Sequence, residues 1–161
     1  MMSRFLCEFN FQQILGRHLF KKYICVPNVS MYEYRKGEYE ADFLYFNLKT
    51  LHLTEVEIKL SVRDFLNDFK KKRYHDSKEV MYLYYCMPSE MYYDNQELID
   101  SKLGDAGLIL INGVDTDTED GAFYEFDCYK KRAKKRKGVS KLSIDRAMYY
   151  MRIGCMKWII K

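Results

Sequence analysis

The stretch Thr54-Glu55-Val56-Glu57-Ile58-Lys59-Leu60 alternates charged and branched apolar side chains without a break. That period of two predicts a strand, with Glu55, Glu57 and Lys59 on one face and Val56, Ile58 and Leu60 on the other. Two carboxylates and an ammonium on a core-type strand are costly unless they are paired or bound to something. Just upstream, Glu40-Ala41-Asp42-Phe43-Leu44-Tyr45-Phe46 predicts a second strand. The link Asn47-Leu48-Lys49-Thr50 is short enough for a hairpin, which sets Asp42 beside Glu57. Downstream, Ser61-Val62-Arg63-Asp64 has the pattern of a capped helix start. Phe65, Leu66 and Phe69 form that helix's apolar side, and Lys70-Lys71-Lys72-Arg73 suits the negative end of its dipole.

Outward from this centre, Ser3 to about Tyr23 predicts a first helix on the stripe Phe5, Leu6, Phe9, Leu15 and Leu19, with Glu8 and Gln12 one turn apart. Pro27 and Asn28 interrupt the pattern, and Val29 to Tyr34 predicts a strand. Val80 to Met87 is continuously apolar and aromatic, as a central strand covered on both faces would be, and Pro88 stops it. Gln96 to Leu103 predicts a short helix and Gly107 to Ile111 another buried strand. Asn112 to Gly121 is an acidic turn, and Ala122 to Tyr129 alternates as that strand's partner. In the last helix, capped by Ser143, the residues Ile144, Ala147, Met148, Met151, Cys155, Trp158 and Ile159 follow helical spacing and predict a core-facing stripe. The order implies an α/β sandwich around a mixed central sheet, with residues 1–161 as a single domain.

Hydrophobic residues make up 48% of the 161, a globular composition large enough for a real core. The apolar runs are too short to span a bilayer, so no membrane association is expected. The first residues lack the pattern of a signal peptide, and a cytoplasmic location follows as the expectation. Cys7, Cys25, Cys86, Cys128 and Cys155 are widely spaced and never in C-x-x-C, so they predict small buried apolar residues rather than a zinc site or disulfide framework. His18, His52 and His75 have no metal-ligand spacing. The net charge of +4 is unevenly placed: residues 129–161 carry 12 Lys and Arg against one acid, Asp145. That asymmetry suggests a polyanion partner for the C-terminal part. The candidate contacts are Lys131, Arg132, Lys134 and Lys135, together with Lys71, Lys72 and Arg73 after the second helix.

Asp42, Glu57 and Lys59 form a set suited to phosphodiester hydrolysis. Hard carboxylate oxygens hold Mg²⁺, and a lysine beside them can orient the attacking water, help deprotonate it or offset charge in the transition state. An Asp on one strand and Glu-x-Lys on the next resembles the PD-(D/E)xK nuclease superfamily. Ala41-Asp42-Phe43, Val56-Glu57-Ile58-Lys59, Asp64-Phe65, Asp68, Lys71 and Tyr74 resemble its MmcB-like branch, whose members are linked to DNA repair. Tyr84 to Pro88 and Ala106 to Ile109 are similar to that branch's next two strands, so the resemblance covers roughly residues 17–112. Ala41 stands where the superfamily's name has Pro.

The resemblance implies a restriction-endonuclease-like αβα sandwich and Mg²⁺-dependent cleavage of DNA, with Mn²⁺ as an alternative. It implies Asp42, Glu57 and the Ile58 carbonyl as metal ligands and Lys59 as the catalytic lysine. An acid from the first helix often completes such sites. Glu8 is the candidate here and Glu33 the rival, each with the alternative of a solvated surface acid. Asp64 and Asp68 face solvent or pair with Lys71 and Lys72 by helical spacing, or flank the site by the resemblance. A catalytically silent nucleic-acid-binding module of the same fold is the alternative function. A homodimer is compatible with all of this.

Overall fold

A computed structural model of the chain describes residues 6–31, 39–70, 77–114 and 123–159. The elements run α1 (Glu8–Leu19), β1 (Ile24–Met31), β2 (Tyr39–Phe46), β3 (Leu53–Ile58), α2 (Val62–Asp68), β4 (Val80–Pro88), α3 (Ser89–Asp94), α4 (Gln96–Leu103), β5 (Gly107–Val114), β6 (Phe123–Lys131) and α5 (Ile144–Ile159). The strands form one six-stranded sheet in sequence order, β1 to β6. The β1–β2, β2–β3 and β5–β6 pairs are antiparallel, whereas β3–β4 and β4–β5 are parallel. Each parallel step needs a crossover, which α2 supplies before β4 and α3 with α4 supply before β5. The fold is thus the expected α/β sandwich around a mixed sheet.

Strand alternation sorts the core. Phe43, Tyr45, Val56, Ile58, Tyr84, Cys86, Ile109 and Ile111 bury against Phe11, Leu15 and Leu19 of α1 on one face. On the other face, Leu44, Phe46 and Leu53 pack under Ala147 and Tyr150 of α5. Further along that face, Tyr85, Met87, Leu108 and Leu110 pack under Phe65, Tyr92, Ile99 and Leu103 of α2 to α4. Between these two groups the face carries Glu55 and Glu57, both fully buried.

Two helix starts follow their sequence. Ser61 Oγ accepts the Asp64 amide at 3.2 Å, and Ser143 Oγ accepts the Arg146 amide at 3.2 Å. Gly104 and Gly138, where sequence signals ended an element, have φ of +54° and +72°.

Several expectations need correction. The first helix starts at Glu8, not Ser3, which lies outside the described residues. The first strand, Ile24–Met31, runs through Pro27 and Asn28 instead of starting at Val29, and the rest of the expected strand, Tyr32 to Tyr34, lies outside the described residues. β1 is an edge strand, where a missing donor costs no ladder bond. Asn28 sits at φ +47°, a bulge-like kink opposite Asp42. The last helix keeps Ala147 and Trp158 of its expected stripe on the core but turns the rest of it outward. Ala147, Tyr150 and Gly154 are its buried residues, while Ile144, Met148, Met151, Cys155 and Ile159 are exposed. Small side chains explain the turn: a Cβ on Gly154 would lie 3.1 Å from Val26 Cγ2. The helix is held there by polar contacts as well. Arg146 forks onto Glu79 at 2.8 Å twice, Trp158 Nε1 donates to the Cys25 carbonyl at 3.0 Å, and Lys157 Nζ donates to the Asn28 carbonyl at 2.7 Å.

Among the described residues, no helix is long and apolar enough to cross a membrane.

Candidate active site

The β2–β3 register places the two candidate carboxylates together. Leu44 pairs with Glu55, so Asp42 and Glu57, two residues further along each strand, fall opposite one another on the same face. Here the two strands part. The Ile58 amide, which would otherwise continue the ladder, donates to Asp42 Oδ2 at 2.8 Å. A residue's N–H and C=O leave a strand on the same side. The Ile58 carbonyl therefore also faces Asp42, whereas the next amide, Lys59, turns to the Cys86 carbonyl of β4 at 2.8 Å.

Behind Asp42 lies a closed ionic cluster. Lys59 Nζ stands 3.1 Å from Glu57 Oε2 and 2.9 Å from Asp68 Oδ2, with all three side chains buried. Burial alone would lower the Lys59 pKa, but Glu57 and Asp68 outweigh it, and the ammonium is held well above its ordinary value. On the same face, Glu55 Oε2 accepts the Tyr39 hydroxyl at 3.0 Å. Burial and Glu55 push that phenol far up, so it stays a donor.

In front lies a second cluster, rich in acids and bridged by amides. Glu8 Oε1 accepts from Gln12 Nε2 and Asn28 Nδ2, both at 2.8 Å. Asn28 Nδ2 also reaches Glu40 Oε1 at 3.2 Å, and Gln12 Nε2 lies 2.8 Å from the Asp42 carbonyl. Asp42 itself is half-buried. Its burial and the Glu57 carboxylate push its pKa up, and Glu8 adds to this. The Ile58 amide and Lys59 oppose the shift, and the outcome is a carboxyl raised to about 8.

Asp42, Glu57, Ile58 and Lys59 thus come together, and Glu8 joins them as a half-buried group rather than a solvated surface acid. Glu33 lies outside the described residues, as do Lys71, Lys72, Arg73, Tyr74 and His75. Asp64 is exposed, as expected, but Asp68 is buried on Lys59 instead of facing solvent. Sequence reading missed Asn28 as a site residue and gave Gln12 no role. A polar residue straight after Pro27, amid apolar neighbours, was the available signal.

The basic segment divides. Lys134 to Lys137 line a cleft of about 870 Å³ whose other side includes Asp68, Phe69 and Tyr85. Lys134 also pairs with Asp105 at 3.3 Å, fully in solvent reach. Lys131 donates to the Gly104 carbonyl, and the Arg132 guanidinium lies 4.2 Å from the centre of the Tyr129 ring. Lys134 and Lys135 are therefore placed on the cleft, and Lys131 and Arg132 are engaged outside it.

Among the described residues, no three His, Cys, Asp or Glu side chains form a metal-holding group by themselves. Mg²⁺ does not require one, because it is commonly held by one or two carboxylates together with waters and substrate phosphate. The donor set of Asp42, Glu57 and the adjacent Ile58 carbonyl is all hard oxygen. The Asp42 pKa is raised first by burial and next by the Glu57 carboxylate, and a bound cation would oppose the second of these. On both counts these residues fit such an ion.

No protein-family model and no curated protein matches the chain. A solved structure of a protein of unknown function from Silicibacter pomeroyi is similar to it, with a TM-score of 0.61 and 14% identity, over 98% of this chain and 90% of that one. At that identity the likeness speaks to the fold alone.

Proposed function

We propose that the chain is a metal-dependent nuclease that hydrolyses phosphodiester bonds, with DNA as the substrate that its resemblance to the PD-(D/E)xK superfamily favours. The observation that carries this reading is the Asp42–Glu57 pair at parted strand ends, backed by Lys59. Asp42, Glu57 and the Ile58 carbonyl would hold Mg²⁺ or Mn²⁺. Such an ion, when bound, makes water a nucleophile at neutral pH and neutralises phosphate charge.

The chain's own residues account for the rest. Lys59 is an ammonium throughout neutral pH, so it offsets charge on the phosphate as the bond to the leaving oxygen breaks, and it does not take the water's proton. Asp68 positions Lys59 from behind. Gln12 and the Ile58 amide fix the Asp42 backbone and side chain. Lys134 and Lys135 offer phosphate contacts along the cleft that passes Asp68.

A second reading, a nucleic-acid-binding module without turnover, is favoured by one observation: the Lys59 cluster is closed and buried and needs no substrate to explain it. Incubation with duplex, single-stranded and branched DNA and with RNA, in Mg²⁺ or Mn²⁺, separates the two. The nuclease reading expects metal-dependent cleavage that Asp42→Asn and Glu57→Gln abolish. Binding without cleavage of any substrate would leave the module reading.

A further inference from the structure

The exposed side of α5 bears a stripe that no described part of the chain covers. Ile144 is 62% exposed, Met148 50%, Met151 36% and Ile159 75%, and Cys155 is exposed between them. Runs of apolar residues on an exposed helix face mark interaction sites more often than chance decoration. The spacing from Ile144 through Met148 and Met151 to Cys155 is four, three, four, which is the seam spacing of paired helices. It also reads the same in both directions. An antiparallel second copy of α5 would set Ile144 against Cys155 and Met148 against Met151, each contact occurring twice.

The charges beside the stripe have the same symmetry. Asp145, the one acid of residues 129–161, lies seven residues before Arg152 on the same exposed flank. In the antiparallel arrangement each Asp145 meets the Arg152 of the other copy. We propose that α5 is a homodimer interface, in which two copies pack antiparallel through Ile144, Met148, Met151 and Cys155 and are locked in register by two Asp145–Arg152 pairs. A surface of this kind is isologous, so it closes on itself without further growth. A helix patch of about 16 Å offers roughly 500 Å² per copy, at the low end of specific interfaces. The proposal is independent of what Asp42 and Glu57 do.

Sedimentation equilibrium of the full chain from about 1 to 200 μM tests it, a range that spans weak dimers of this size. The expected result is a mass rising with concentration from 19.4 kDa towards its double. Met148→Glu with Met151→Glu, both at exposed positions, should hold the chain at the monomer mass. Asp145→Arg or Arg152→Asp alone should weaken association about tenfold, and the two together should restore it. Under mild oxidation Ile144→Cys should give a covalent dimer through Cys155 of the other copy, since positions 144 and 155 of one helix are too far apart to join. A chain that stays monomeric leaves the stripe to a different protein and overturns the proposal. A dimer indifferent to these substitutions overturns it equally.

Discussion

Two charge clusters sit back to back where β2 and β3 part, and they solve the same electrostatic problem in opposite ways. Behind, the Lys59 ammonium lies within 3.1 Å of both the Glu57 and Asp68 carboxylates, and its proton is held more tightly than usual. In front, Glu8, Glu40 and Asp42 are joined by the neutral amides of Gln12 and Asn28, and Asp42 retains its proton to about pH 8. Amides satisfy hydrogen bonds but add no charge. The rear cluster therefore sets one ammonium against two carboxylates, whereas the front one, joined by amides, gains from any cation that enters. Glu57 belongs to both, which makes it the hinge between stability and chemistry.

The sharpest break in this contrast comes from removing the shared cation. Lys59→Met strands buried carboxylates, and loss of one partner of a buried pair costs about 3–5 kcal/mol. Denaturant unfolding should show that loss, and adding Asp68→Asn should recover part of it. A Lys59→Met chain as stable as the original would mean that the rear cluster is not an ion pair. In front, Asp42→Asn should lower metal-dependent cleavage about a hundredfold or more, equivalent to about 2.7 kcal/mol of barrier, while the chain stays folded. A destabilised Asp42→Asn variant whose folded fraction cleaves at the original rate would make Asp42 structural.

The front cluster also predicts a pH signature. The Asp42 pKa is raised on folding from 3.8 to about 8, so the protonated form is the one that the fold favours. Its stabilising contribution is complete below the unfolded value, near pH 4, and is lost as pH rises through about 8. In that window each pH unit costs at most about 1.4 kcal/mol. Thermal unfolding in EDTA should therefore show Asp42→Asn gaining on the original chain between pH 5 and 8, and parallel curves would mean that the Asp42 pKa is not raised. The smallest effect concerns the cleft. Lys134→Ala with Lys135→Ala should flatten the slope of log affinity against log salt by about 1.4 to 1.8, the value for two phosphate contacts. An unchanged slope would put nucleic acid elsewhere.

The parts of this arrangement that were legible in the sequence are those set by local rules. Alternation in Glu40–Phe46 and Thr54–Leu60 marks two strands, and the short link marks them as a hairpin, but the register that sets Asp42 opposite Glu57 comes from a six-residue connection, residues 47–52, rather than the expected four. Ser61 and Ser143 marked helix starts because a cap acts within three residues. What escaped depends on neighbours distant in sequence. Asp68 is buried because α2 folds back over the end of β3 onto Lys59, nine residues earlier, and helical spacing carries no trace of that. Pro27 looks like a break in the sequence because its effect depends on whether the strand lies at an edge. Ile144, Met148, Met151 and Ile159 of α5 point away from the core because Ala147 and Gly154 allow a closer approach to β1 than the methionines would.

Mn²⁺ binding followed by calorimetry at pH 6.5 and pH 9, on the original chain and on Asp42→Asn, measures directly whether the front cluster takes a cation. The ion must displace the Asp42 proton, so the original chain should bind more tightly at pH 9 and release close to one proton at pH 6.5, and Asp42→Asn should bind weakly at both. Equal affinity of the two chains at both pH values would contradict a cation site at Asp42.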